Sequence, residues 1–385
     1  MAERALVHIE KIEWVKPIEG ADNIELIGVL GWVCVAKKEE FKQGDLAVYI
    51  EIDSKCPESD ERFAFLAAKH YKVKTMKLGK FKVISQGLAL PISLFPELSG
   101  KAVGTDVTEE LKITYASEED IRRKSNTVDP DAKYKAMAQR HKKLFSSPIV
   151  RRIMRYKLGR KVMFLFFGKK KDNPKKFPKW IVKTDEIRIE NAPFYLESTD
   201  KWIKTEKLDG TSCTFAVDKI KKDKFEFIVC SRNVRQADRN QETYHESNIY
   251  WELADKYDIE KILTKYAIEH GYNRVVLQGE GVGAVQGNLY KLKENELFVF
   301  NLIVDGVRLG TVEMVKFCDQ NGLKNVPIID TEYVLPKTME EMKLEADGYS
   351  EINPKVKREG FVYRSVDGQQ SFKNVSREYL LKHNG

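Results

Sequence analysis

Thr205-Glu206-Lys207-Leu208-Asp209-Gly210-Thr211-Ser212 sits between two strand-like runs, Trp202 to Glu206 before it and Cys213 to Val217 after it. The first run delivers a lysine to a turn at Asp209-Gly210, where it is fixed in place and close to backbone amides. Composition alone produces a Lys-x-Asp-Gly about one time in ten in a chain of this length, so an ordinary hairpin is the plain alternative. Outward from this stretch, mixed structure is expected downstream. Two amphipathic helical segments, Asn248 to Lys256 and Ile259 to His270, lie among strands, the second stopping at Gly271. Leu297 to Ile303 turns through Asp305-Gly306, and Gly360 to Ser365 through Asp367-Gly368. Antiparallel pairing therefore dominates, and a doubly wound parallel fold is disfavoured.

Upstream, five strand-like runs occupy the first hundred residues: Ala5 to Val15, Ile24 to Lys37, Asp45 to Ile52, Lys72 to Leu78 and Gln86 to Pro91. So many short strands in so little chain point to a small closed barrel. Trp32, Tyr49, Tyr71 and Phe81 offer stacking faces or core filling, and core is the expectation for each. Between barrel and lysine the charge changes. The chain carries a net +8, but 117–180 holds 20 Lys or Arg against 6 Asp or Glu, a local +14 that leaves −6 for the remainder. Tyr134, Met137, Ala138, His141, Leu144 and Phe145 recur at helical spacing before Ser147-Pro148, and Ile149, Val150, Ile153 and Met154 resume it. Two basic amphipathic helices are expected there. A nucleic acid is the favoured partner over a solvated face or an acidic membrane surface, and Arg151, Arg152 and Arg155 are the candidate contacts.

At 385 residues with 42% hydrophobic and 32% charged residues, the chain is long enough for two cores. Its mean hydropathy is −0.45. The longest apolar run, Val162 to Phe167, is too short to span a bilayer. A soluble protein without a membrane partner is expected, and the start of the chain shows no apolar signal segment to mark it for export, so an intracellular protein is expected; a monomer is the expectation for its assembly. Five scattered cysteines disfavour a disulfide framework and a zinc cage, and the six histidines show no metal spacing. Gly279, Gly281 and Gly283 are followed by no Gly-Lys-Ser/Thr, so they read as a flexible loop rather than a phosphate loop.

What raises Lys207 above a hairpin lysine is an ordered set downstream: Ser231-Arg232-Asn233, Gln278-Gly279-Glu280-Gly281, Leu297-Phe298-Val299-Phe300-Asn301, Glu359-Gly360-Phe361-Val362 and Ser371-Phe372-Lys373-Asn374. From about Thr184 to Tyr379 the chain resembles the covalent nucleotidyltransferases, the polynucleotide ligases and capping enzymes. With a barrel placed first and the stretch Phe177 to Arg188 between the two, it resembles the ATP-dependent RNA ligases of the Naegleria and Deinococcus type. Twelve residues follow Lys373, so no C-terminal OB domain is expected. The resemblance implies an α+β chain: an N-terminal five-stranded OB-like β-barrel over 1–115, then a nucleotidyltransferase (ATP-grasp-like ligase) domain of antiparallel sheets with flanking helices over 116–385, with the basic helical segment at 117–180.

The resemblance also implies roles. Lys207 would be the catalytic nucleophile that takes AMP from ATP. Glu206 would accept from the adenine amino group, Phe300 would stack on the purine, and Arg232 and Glu280 would hold the ribose with Ser212 beside them. Lys373 would neutralise the α-phosphate, with Lys183 and Arg188 orienting pyrophosphate or sugar. Asp209, Glu359 and, alternatively, Glu280 would surround Mg2+ or Mn2+ through hard oxygen ligands. Asn301 stands where many relatives have Asp, and Val375 where other RNA ligases often carry a second lysine. Amine attack on phosphorus needs neutral lysine, which at pH 7 is about 4 to 5 kcal/mol uphill for an unperturbed group, so the site is expected to depress its pKa. The implied activity is sealing of a 3′-OH to a 5′-phosphate in a nicked duplex, RNA or an RNA/DNA hybrid. Alternatives are a DNA ligase, a capping guanylyltransferase, or a non-catalytic OB-fold RNA-binding protein.

Overall fold

The computed structural model describes residues 5–116, 142–154, 156–167, 175–222, 224–236, 248–283 and 288–383. These fall into two compact units, one within Met1–Tyr115, Lys176–Gln236 and Ile249–Gly385, the other within Ala116–Lys175 and Ala237–Asn248. No helix among the described residues is long and apolar enough to cross a membrane. All five cysteines are free and buried.

The N-terminal part is a curled five-stranded antiparallel sheet with spatial order Trp32–Lys37, Ile24–Val29, Val7–Pro17, Leu46–Ile50, Leu88–Pro91. Its two edges are drawn together where the Gln86 backbone N–H donates to the Val33 carbonyl at 2.8 Å. Two of the expected strands are redrawn. Ile24 to Lys37 is a hairpin, not one strand, because Leu30 takes φ +50° next to Gly31 and the chain reverses there. Lys72 to Leu78 contributes no barrel strand; Met76–Leu78 instead pairs with Val83–Ser85 in a separate small hairpin. Alternation along Val7–Pro17 buries Val7, Ile9 and Ile12 in two clusters, one with Phe63, Phe95 and Leu98, the other with Trp32, Tyr49 and Ala89.

The second part carries two sheets. The larger runs Val234–Arg235, Lys224–Cys230, Thr211–Lys221, Arg274–Val282, Glu296–Val304, Val307–Arg308, with Lys324–Asn325 added in parallel against Glu296–Val304. One face buries Phe215, Val217, Leu277 and Val299 beneath helices Ile249–Lys256, Ile259–His270 and Thr311–Asn321. The second of these helices stops at Gly271 with φ +74°. The smaller sheet runs Ile187–Arg188, Ser371–Val375, Gly360–Ser365, Lys201–Lys207, Ile328–Val334. It packs Trp202, Phe361, Tyr363 and Phe372 against Met342 of helix Met339–Ala346. Helix Arg377–His383 inserts Tyr379 and Leu380 into the barrel core beside Trp32 and Phe41.

In the basic segment, short helices cover Lys142–Phe145, Pro148–Met154 and Lys157–Phe167. Phe145 and Met163 bury there with Val150 and Met154 against them. The expected helix from Tyr134 lies outside the described residues as far as His141.

Candidate active site

Lys207 ends a strand of the smaller sheet, and Thr211 begins a strand of the larger one. Lys201–Lys207 pairs with Gly360–Ser365 and Ile328–Val334, while Thr211–Lys221 pairs with Lys224–Cys230 and Arg274–Val282. The two runs flanking Lys-x-Asp-Gly are therefore not a hairpin. The chain crosses from one sheet to the other within Leu208, Asp209 and Gly210. The crossing is tight: a Cβ on Gly210 would stand 2.5 Å from the Gly281 carbonyl oxygen, a contact that only glycine avoids.

Register places the acids. Lys207 lies opposite Gly360, so the preceding Glu359 reaches the lysine, Nζ to Oε1 at 2.7 Å. Ser212 lies opposite Glu280. Asp209 accepts from the Tyr379 hydroxyl at 2.6 Å, and its backbone N–H donates to the Tyr290 hydroxyl at 2.8 Å. Burial of Glu280, reinforced by Glu359 and Asp209 and only partly offset by Lys207, pushes its carboxyl up to about 8. Glu359 is likewise raised by burial, against the opposing pull of Lys207. Burial disfavours the Lys207 ammonium, but Glu359, Glu280 and Asp209 outweigh it and hold the lysine above its ordinary value. Of the two influences expected to depress the lysine, burial is present and acts in that direction, while the neighbouring acids act against it.

The remaining expected residues divide. Glu206 is buried; its Oε2 accepts from the Glu351 backbone N–H at 2.8 Å, while Oε1 is buried without a hydrogen-bond partner. Phe300 packs half-buried beside Leu208, Tyr290 and Val326, with the Arg364 guanidinium 6.0 Å from its ring centroid. Ser212 Oγ lies 3.0 Å from Thr184 Oγ1. Lys373 and Arg232 meet on Asp185, at 2.7 Å and 3.1 Å. Lys183 is exposed. Arg188 is buried at the barrel junction, donating to Asp53 at 3.0 Å with its guanidinium 5.8 Å from the Trp32 ring centroid. Asn301 is buried and donates to Gln278 at 3.0 Å. Arg152 is exposed on Pro148–Met154, the helix that also carries Arg151; Arg155 lies outside the described residues.

Three participants escaped the sequence reading. Asp185 sits inside the quoted stretch Phe177 to Arg188, yet nothing local marks it as the partner of two distant cations. Tyr290 and Tyr379 carry no motif; only the fold brings them to Asp209.

Among the described residues, no three His, Cys, Asp or Glu side chains are gathered as a metal cage. The donor set nevertheless suits a hydrated divalent ion. Glu359 Oε2 is buried without a hydrogen-bond partner, and a cation would favour the charged form of Glu280 that burial disfavours. Mg2+ and Mn2+ commonly take one or two carboxylates and complete their shell with water and phosphate oxygen.

Two family profiles match the chain, an OB-fold domain over residues 6–92 and RNA ligase over residues 200–382. Among solved structures, Naegleria gruberi RNA ligase with PPi is 32% identical at a TM-score of 0.76, and a mutant form with AMP and Mn is 30% identical at 0.75. Each alignment spans 99% of both chains. A further mutant of that ligase, with ATP and Mn, is 31% identical at a TM-score of 0.75, over 98% of this chain and 99% of the other. A search of curated protein sequences gives no match. With both domains matched in order and nearly the whole length superposed, the chain belongs to the ATP-dependent RNA ligases that carry an OB domain ahead of the ligase domain.

Proposed function

We propose that this RNA ligase works through a lysyl-AMP intermediate on Lys207 and seals nicked duplexes whose 3′-OH strand is RNA. The observation that carries the reading is the Lys207–Glu359 contact of 2.7 Å at the point where the chain crosses between sheets. Glu280 and Asp209 also act on that amine, and the half-buried ring of Phe300 packs beside the next residue, Leu208. ATP and Mg2+ or Mn2+ are the cofactors this reading requires.

In the first step the Lys207 amine attacks the α-phosphorus of ATP, a P–N bond forms, the α–β phosphoanhydride breaks and pyrophosphate leaves. Next the RNA 5′-phosphate displaces the lysine, and finally the 3′-OH attacks that 5′-phosphorus and AMP leaves. Lys207 must first lose its proton, and Glu359 Oε1 is the acceptor within reach. Glu206 Oε1, buried and unpartnered, matches an amino group on a purine edge. Phe300 offers the ring face. Glu280 and Ser212, opposite one another on adjacent strands, would hold the ribose together with Arg232. Phosphate oxygens would replace the Asp185 carboxylate between Lys373 and Arg232. Lys183 is assigned to the leaving pyrophosphate, whereas Arg188 already has Asp53 as its anion and is better described as joining the barrel to the ligase domain. Asp209, Glu359 and, if it is not engaged with the ribose, Glu280 would hold the divalent ion, which would supply positive charge against the phosphate oxygens and so disfavour the ammonium form of the lysine. Arg151, Arg152 and Arg155 would meet RNA phosphates from the basic segment.

Incubation with α-labelled ATP and magnesium tests the reading on a denaturing gel. Wild type should retain label on the protein and Lys207→Ala should not; equal labelling of the two would end the proposal. Comparing RNA with DNA 3′ ends in nick sealing then checks the substrate.

A further inference from the structure

The strand connection Glu51 to Gly87 joins the fourth and fifth barrel strands, a position from which OB folds often meet oligonucleotides. Beyond Glu61 its charge is one-sided. Between Glu61 and Glu97 the sequence contains no Asp or Glu, while Lys69, Lys72, Lys74, Lys77, Lys80, Lys82 and Arg62 supply seven positive charges. The hairpin Met76–Leu78 with Val83–Ser85 projects from this connection. Its root is anchored on the barrel edge strand, where the Val35 N–H donates to Ser85 Oγ at 3.0 Å and the Gln86 N–H donates to the Val33 carbonyl at 2.8 Å. Its tip is fixed by the Phe81 N–H donating to the Leu78 carbonyl at 3.1 Å.

Lys77, Lys80 and Lys82 are exposed, Lys74 is half-buried, and among the described residues none of the four forms an ion pair. Elsewhere on the same unit some lysines have an acid beside them: Lys101 has Glu110, Lys201 has Glu332, Lys256 has Glu296 and Lys357 has Glu378. Three unpaired, exposed ammonium groups on one rigid hairpin repel one another, and a polyanion relieves that repulsion. Phe81 stands between two of them, half-buried, with the Lys80 ammonium 5.0 Å from its ring centroid. A ring interleaved with cations suits a nucleic acid strand, whose phosphates meet the lysines while a base meets the ring.

We infer that the hairpin Met76 to Ser85 is an RNA-docking surface, with Lys77, Lys80 and Lys82 on phosphates and Phe81 stacking a base near the break. The inference deepens the proposed function by naming a contact surface for its RNA, and it is separable from the lysine chemistry.

The test is fluorescence anisotropy of a labelled nicked RNA duplex over a series of salt concentrations. Each phosphate contact contributes just under one unit to the slope of log K against log salt. Replacing Lys77, Lys80 and Lys82 by Ala should therefore lower the slope by about 2 to 3 and weaken binding at least 10-fold at low salt. Lys80→Glu alone, at the open tip, should give a smaller loss in the same direction. Phe81→Ala should weaken binding about 10-fold with an unchanged slope. Labelling of Lys207 by α-labelled ATP should be as in wild type for all of them. A triple Ala variant at Lys261, Lys265 and Lys316, on helices of the ligase domain, should leave the slope near wild type. Unchanged affinity and slope in the hairpin variants, or an equal loss in the helix variant, would overturn the inference. So would loss of ATP labelling in Lys80→Glu, since a docking surface leaves the lysine chemistry alone. Failure of wild type to label would instead remove the lysyl-AMP proposal and leave the anisotropy result standing.

Discussion

Lys207 is held above its ordinary pKa because Glu359, at 2.7 Å, and the nearby Glu280 and Asp209 outweigh the burial that opposes its charge. The proposed attack by this amine therefore requires a change in that balance of charge. The position of Asp209 in that balance is set by Tyr379, whose hydroxyl donates to it at 2.6 Å. Deleting a hydrogen bond to a charged group is worth about 1.5 to 3 kcal/mol. Tyr379→Phe is therefore expected to slow Lys207 labelling about 10- to 100-fold, read as a lower maximal rate at an unchanged KM for ATP in single-turnover assays. A fall in barrel stability with normal labelling would assign the tyrosine to packing alone. Lys207, Asp209 and Glu359 were legible as candidates from their types and order, and the fold brings them together. Tyr379 was not, since a tyrosine near the end of a chain carries no spacing signal.

The crossing Leu208 to Gly210 decides what the lysine strand means. Read along the sequence, two strands flanking Asp-Gly look like a hairpin; in the fold they belong to different sheets. Strand pairing is non-local, and nothing within the octapeptide specifies partners more than sixty residues away. Gly210 makes the crossing possible, and its Cα faces the Gly281 carbonyl so closely that Gly210→Ala would place a methyl 2.5 Å from that oxygen. This variant should lose about 1 to 3 kcal/mol of stability and most Lys207 labelling. Urea melts monitored by tryptophan fluorescence, run beside the labelling assay, check both. The Ile24 to Lys37 stretch teaches the same lesson in reverse: a run of strand formers hid a turn at Leu30-Gly31, since one residue at φ +50° leaves little trace in composition.

At the scale of the molecule, barrel and ligase domain are joined by polar contacts as well as by the C-terminal helix. Trp32 donates to Asn191 at 2.5 Å, Arg188 pairs with Asp53 at 3.0 Å, and Asn191 donates in turn to Glu51. Glu51 also faces His8, whose other ring nitrogen meets Glu10 at 2.8 Å. Burial works against the imidazolium, but the two carboxylates prevail and raise His8 to about 9. The folded state therefore binds a proton that the unfolded chain releases above its ordinary value near 6.5, so this stabilisation is complete below that pH and lost as pH rises through about 9. Up to roughly 3 kcal/mol is involved. The melting temperature should fall between pH 6.5 and 9, and His8→Gln should flatten that fall; an equally steep profile in the variant would locate the dependence elsewhere. Read alone, the chain's ordered motifs determined the family, since a lysine, acids and cations of the types a ligase site needs keep their order along the sequence. The short strands determined the α+β class for the same reason, because alternation is a local property. Only the tertiary structure decided which sheet each strand joins, that Arg188 serves the barrel junction, that Tyr379 reaches Asp209, and that acids from other strands surround the lysine. Those depend on electrostatic and steric neighbours brought together from distant parts of the chain, and distance along the sequence carries no record of them.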